Sequence, residues 1–324
     1  MYYSIRHDTR FRYSAPITES VMEARMQPRS EGIQRCLSFE LNVSPHARIW
    51  SYRDYSGNTV HHFTIPSTHT ALAVTARTVV EMKFPPTLPD ALDASAWDEL
   101  DRTVAANDYW EMLMPSRFAR PTELLRAFAR ELKLQRRDDP LSFLRELNIA
   151  MFGAFEYVPK STKVDSPIDE ALQNRKGVCQ DFAHIMTALV REVRIPCRYV
   201  SGYLIHSEQD NDRSSDGATH AWVEAFLPGL GWIGFDPTNN LIAAERHIRV
   251  AIGCDYADVP PTRGVFKGES VAESELGVAV RVAPTDAPLP DIPEEEPTTF
   301  FAEQQRRQAD AEVELNHQQQ QQQQ

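Results

Sequence analysis

Arg175-Lys-Gly-Val-Cys179-Gln-Asp-Phe-Ala-His-Ile-Met-Thr-Ala-Leu-Val-Arg-Glu-Val193 is the stretch that decides how the chain folds. Counted from Cys179, the apolar residues Phe182, Ile185, Met186, Leu189, Val190 and Val193 recur at helical spacing and form one stripe. Pro196 stops the helix. Gly177 suits a tight bend into it, and Asp181 sits in the first turn, where acids are favoured. Cys179 is therefore expected at the helix N-terminus and off the apolar stripe. Unpaired backbone N–H groups at such an end favour thiolate over thiol, and they can also hold an oxyanion formed when sulfur attacks a carbonyl. Cys36, Cys197 and Cys254 have no such setting and are read as ordinary packed thiols.

Downstream lies a strand-turn-strand pattern. Thr219-His220-Ala-Trp-Val-Glu-Ala-Phe226 alternates as a strand does, Leu227-Pro-Gly-Leu-Gly231 is a turn by composition, and Trp232-Ile-Gly-Phe-Asp236 is a second strand ended by Pro237. Pairing about residue 228 puts His220 opposite Asp236, with the two side chains on one face. A one-residue slip would separate them. An imidazole oriented by a carboxylate is what a thiol nucleophile requires of its base. Gly229-Leu-Gly-Trp-Ile-Gly234 matches a dinucleotide pattern, but no helix follows it, so the match is dismissed.

Upstream, residues 1–86 form a β-rich domain by pattern. Tyr2–His7 and Thr9–Tyr13 are short strand-like runs, Ser56-Gly-Asn58 is a turn between two more, and residues 71–80 are rich in β-branched side chains. Residues 87–150 turn helical, with Thr122 and Pro140 opening two helices. Residues 151–283 hold the candidate chemistry. Residues 284–324, rich in Pro and Glu and ending in seven glutamines, form an expected disordered tail.

Composition narrows the function. The net charge is −12, half of it from eight acids against two arginines between Asp291 and Leu315, which argues against a nucleic-acid partner. No signal-peptide core or membrane-length apolar run is visible, so a cytoplasmic protein with no membrane partner is expected. Four widely spaced cysteines without a C-x-x-C pair favour free thiols over disulfides or a zinc site.

These segments resemble the bacterial transglutaminase-like proteins. The resemblance runs through Gly177–His184, Ile195–Tyr203, His220–Glu224, Trp232–Thr238 and Ile252–Pro261, in the family's order, and Asp54–Asn58 resembles the β-domain that precedes the core in many members. It implies an α+β fold: a papain-like core, its helix bearing Cys packed on an antiparallel sheet bearing His and Asp, behind a small β-rich domain. By residue match Cys179 would be nucleophile, His220 general base and acid, and Asp236 the orienter. Tyr157 and Gln180 are candidate oxyanion donors. The implied reaction is attack on a carboxamide or peptide bond, through a thioester, with transfer to water or an amine. No metal or cofactor is expected, and the expected partner is a protein or peptide substrate. The competing reading is an inactive binding or scaffold module that kept the fold.

Overall fold

A computed structural model describes residues 1–107, 109–206, 212–214, 217–268 and 274–286. The acidic, Gln-rich tail expected from residue 284 lies outside the described residues from 287 onward, as does part of the polar loop before His220.

The first 82 residues supply five strands, β1 (Tyr2–Ala24), β2 (Gln34–Ser44), β3 (Ile49–Arg53), β4 (Thr59–Ile65) and β5 (His69–Met82), paired in the order β2-β5-β1-β4-β3. The two short runs expected before Tyr13 are parts of one 23-residue strand, β1. Its ladder with β5 breaks between Arg12 and Ile17, around Pro16, which cannot donate to a ladder. Alternation along β1 and β5 buries Tyr13, Ile17, Leu72, Val74 and Ala76 on one face.

Helices follow: α1 (Ala96–Ala106), α2 (Trp110–Leu113), α3 (Glu123–Glu131), α4 (Pro140–Ala154) and α5 (Ile168–Asn174). Thr122 caps α3 by accepting the Leu125 N–H at 3.1 Å, and Asp139 caps α4, with Pro140 at its first position. Two short strands, β6 (Glu156–Tyr157) and β7 (Lys176–Gly177), pair in parallel just before α6 (Cys179–Glu192).

The central sheet comprises β8 (Cys197–Leu204), β9 (His220–Leu227), β10 (Gly231–Asp236), β11 (Leu241–Ala243) and β12 (His247–Gly253), in the order β11-β10-β9-β8-β12. Helix α6 packs on it through Cys197, Tyr199, Ala221, Val223 and Ala225. Leu125, Phe128, Leu147, Met151 and Leu172 of α3–α5 belong to the same cluster. The expected stripe is thus only part of the truth, since every residue of α6 from Gln180 to Arg191 is buried. Gln180, Asp181, His184 and Arg191 are bonded outward, and Arg191 reaches the carbonyls of Met112, Cys197 and Cys254.

Residues 262–285 leave the central sheet and return to the first one. Strands β13 (Thr262–Gly268) and β14 (Ser274–Thr285) pair antiparallel with successive stretches of β1. The first sheet is tied to β12 by side chains that mimic a strand. Asn58 donates to Ile252 O at 2.8 Å and accepts its N–H at 2.9 Å, and Gln34 brackets Arg249 in the same way, at 2.8 Å each. Tyr3, Ile5, Val80 and Met82 pack against Tyr203, Ile248 and Val250 between them. No helix among the described residues is long and apolar enough to cross a membrane.

Candidate active site

Cys179 is the first residue of α6, preceded by Val178 in extended conformation. Asp181 closes that end: its Oδ2 accepts the Val178 N–H at 2.8 Å and the Thr162 hydroxyl at 2.5 Å. Burial pushes the Asp181 carboxyl up, against the pull of these two donors. Gly177 serves by its size, because a Cβ there would lie 2.9 Å from the Asp181 Cβ. The N–H groups of Asp181 and Phe182 both reach Val178 O. Those of Cys179 and Gln180 remain the first-turn donors that a helix end offers to an anion.

The hairpin that carries the imidazole and the carboxylate has a three-residue loop. Leu227 pairs with Gly231, and Phe235 with Val223, which puts Asp236 level with Trp222 rather than with His220. Gly229 and Gly231 take positive φ (70° and 75°), moving the centre of the hairpin from residue 228 to 229. A shift of two residues keeps the face, so Asp236 reaches His220 diagonally, with Nε2 2.8 Å from Oδ2.

Asp236 is fully buried and heavily bonded. Oδ2 also accepts from Asn239 Nδ2 at 2.9 Å and His247 Nε2 at 3.1 Å, while Oδ1 accepts the Thr238 and Asn239 N–H groups at 3.0 and 3.2 Å. Burial opposes its charge, but the two imidazoles hold the carboxyl far below the usual carboxylate range. For His220 burial pulls the other way too, and is overcome by the charge and hydrogen bond of Asp236, with Cys179 adding to it; the imidazole rises to about 10. His247 is pulled down by burial and by the neighbouring His220 charge, against Asp236. Two histidines thus share one carboxylate while only one of them carries charge. Ligand atoms of His220, Asp236 and His247 lie within 4.8 Å of one another, a spacing open to a cation, but both ring nitrogens already donate to Oδ2 at hydrogen-bond length.

His220 Nδ1 is buried and has no hydrogen-bond partner among the described residues, and Cys179 is near enough to raise the imidazole. Tyr199 and Tyr256 also border the thiol: burial raises both phenols, and Cys179 raises them further. Tyr256 is held by His184, whose Nε2 accepts its N–H at 3.2 Å while the ring stacks on Phe118. Beside this group lies a cavity of about 490 Å³ bounded by Phe118, Val164, Thr219 and Tyr256.

The structure therefore brings Cys179, His220 and Asp236 together. Gln180 donates its side-chain amide to Val164 O at 2.8 Å, which ties down the loop beside the cavity. Tyr157, on β6, is half-buried against the cluster that Cys179 also borders, with Gly177 as its ladder partner. His247, Asn239 and Thr162 escape a reading of the sequence. The only available signal was Asn239 within Asp236-Pro-Thr-Asn239, a turn whose polar side chains can fold back on the aspartate. The other cysteines are less reactive by environment: burial raises Cys36 and Cys254, and lifts Cys197 to about 11. Arg198 and Glu224, within the quoted motifs, form a buried cross-strand ion pair at 2.7 Å.

Comparisons with known proteins agree on the fold's lineage. The transglutaminase-like superfamily matches residues 126–237, and the bacterial transglutaminase-like N-terminal region matches residues 3–81. The uncharacterized protein ML0607 of Mycobacterium leprae is 32% identical over 276 residues, 85% of this chain and 96% of its own. A protein-glutamine gamma-glutamyltransferase of Pseudomonas aeruginosa is 33% identical over 101 residues, covering 29% of this chain and 14% of that protein. A crystal structure of a candidate cysteine protease from Cytophaga hutchinsonii superposes with a TM-score of 0.69 at 23% identity, covering 89% of this chain and 92% of the other.

Proposed function

The chain belongs to the transglutaminase-like superfamily, and from that premise we propose that it is a cysteine-nucleophile enzyme acting on carboxamide or peptide bonds. The Cys179 sulfur, its proton already held by His220, attacks the carbonyl carbon as a thiolate. The tetrahedral oxyanion is received by N–H groups at the start of α6. Collapse breaks the C–N bond, and His220 returns the proton to the departing amine, leaving a thioester on Cys179. Water or a second amine, deprotonated by His220, then attacks the thioester, and the sulfur leaves as thiolate beside the charged imidazole. Asp236 stays ionised throughout and stabilises the imidazolium.

One observation carries this reading: a buried carboxylate 2.8 Å from an imidazole that also feels the thiol at a helix N-terminus. Hydrolysis of a peptide or isopeptide bond is the favoured outcome, because no separate seat for an acceptor amine is marked around Cys179 among the described residues. The test is incubation with a glutamine-containing peptide, with and without a labelled primary amine, followed by mass analysis. Deamidated or cleaved product identifies a hydrolase, and amine-bearing product a transferase. Cys179→Ala protein that still turns over, with its melting temperature unchanged, would refute the assignment.

A further inference from the structure

Strand β14 closes one side of the first sheet and also borders the cavity beside the thiol, which is lined by Leu276 and Val278 together with Thr219, Tyr256 and Phe118. Its inner edge pairs with β1 from Tyr2 to Tyr13. The direction of its outer groups follows from a single bond. Val280 N–H donates to Gly217 O at 2.8 Å, away from β1. In an antiparallel ladder the outward groups belong to alternate residues, so the N–H and C=O of Leu276 and Val278 also face outward. Among the described residues none of these outward groups has a hydrogen-bond partner. Their side chains are exposed as well, Leu276 by 54% and Val278 by 45%. An apolar, unguarded strand edge is a feature that folded proteins ordinarily suppress.

We propose that the outer edge of β14 at Leu276–Val278 is the main-chain docking rail for the substrate, an extended, unfolded polypeptide segment with apolar side chains. The segment adds as a strand to β14, continuing the ladder that Gly217 begins at Val280, and the cavity leads it past Thr219, the neighbour of His220, toward Cys179. This rests on the cysteine-enzyme reading for its purpose, but it makes its own claim: the edge of the first sheet, not only the papain-like core, selects polypeptide over small amides. Main-chain bonds would supply affinity independent of sequence, and Leu276, Val278 and Phe118 a preference for apolar side chains.

Binding separates this claim from the chemistry. Dye-labelled, reduced and carboxymethylated α-lactalbumin, which stays unfolded, is titrated with Cys179→Ala protein by fluorescence anisotropy. The expected result is saturable binding that Val278→Pro weakens about tenfold or more. Proline at 278 deletes an outward N–H without removing a bond to β1, and Gly277 before it tolerates the constraint. A synthetic peptide from the same chain, N-methylated at alternate residues, should compete about tenfold less well than its unmethylated copy, a measurement that needs no variant to fold. Absence of binding, equal binding by folded Val278→Pro protein, or equal competition by the methylated peptide would each overturn the rail. Failure of the enzyme reading shows elsewhere, as an unreactive Cys179 in otherwise binding-competent protein.

Discussion

Asp236 lies level with Trp222 in the β9–β10 ladder, yet it is His220 that it holds, diagonally and at 2.8 Å. The carboxylate raises the imidazole to about 10 against burial. In Asp236→Asn the side chain keeps its size and loses its charge. Turnover should fall roughly 10²–10⁴-fold, and His220 should titrate several pH units lower. The pH profile of turnover and an NMR titration of the ring check both. A variant with His220 still titrating near 10 would show that the carboxylate is not what charges it.

His247 is the second imidazole on Asp236 Oδ2, at 3.1 Å, neutral and donating. It acts through Asp236 and is a positioning residue. His247→Ala should lower kcat by about tenfold, the usual scale for an outer hydrogen bond that orients an active group, with little change in KM. His247→Gln, whose amide N–H can reach the same oxygen, should recover most of that loss. A structural role alone would lower the melting temperature in both variants and give no rescue of kcat.

Buried histidines set the response of stability to pH. Burial holds His7 at about 4 and His184 at about 3, so both stay neutral in the fold while the unfolded chain takes up their protons below about 6.5. Each therefore costs up to about 1.4 kcal/mol per pH unit as acidity rises through that window. His220 acts in the opposite sense. Its raised value makes its contribution complete below about 6.5 and progressively lost between there and about 10. The melting temperature should therefore peak near neutrality and fall toward both pH 5 and pH 9. Calorimetry across that range tests it, and an unchanged melting temperature from pH 6.5 to 5 would contradict the neutral burial of His7 and His184.

Asn58, fully buried, spends its amide on both main-chain groups of Ile252 and also accepts from Arg29. Asn58→Ala leaves buried groups of β12 unbonded, and should destabilise the protein by about 2–4 kcal/mol. Chemical denaturation reads the loss. A drop below about 0.5 kcal/mol would mean that the two sheets are not locked at this point.

Much of this was legible in the chain because it is local. Helix α6, its cysteine at the first position and the two-strand hairpin follow from periodicity and turn residues between 175 and 237. Face parity survived an error in register, since Pro228-Gly-Leu230 forms the loop and moves the pairing by two residues rather than one. What stayed hidden is non-local. His247 is one of ten histidines, and its partner sits on β10, three places away in the sheet order. Asn58 looked like a turn residue, which it is, while its work is done on a strand 194 residues later. Residues 262–285 carry a strand pattern, but nothing in it names β1 as the partner. Gly177 was expected to bend the chain, and instead it makes room for the Asp181 carboxylate.

The central claim is that Cys179 is a nucleophile served by His220, and iodoacetamide tests it most directly. Cys36, Cys197 and Cys254 are all raised by burial. At pH 7 peptide mapping should find Cys179 alkylated at least tenfold faster than any of these, and His220→Ala should slow Cys179 by a similar factor. Equal labelling of the four thiols, or a Cys179 rate indifferent to His220, would contradict the account.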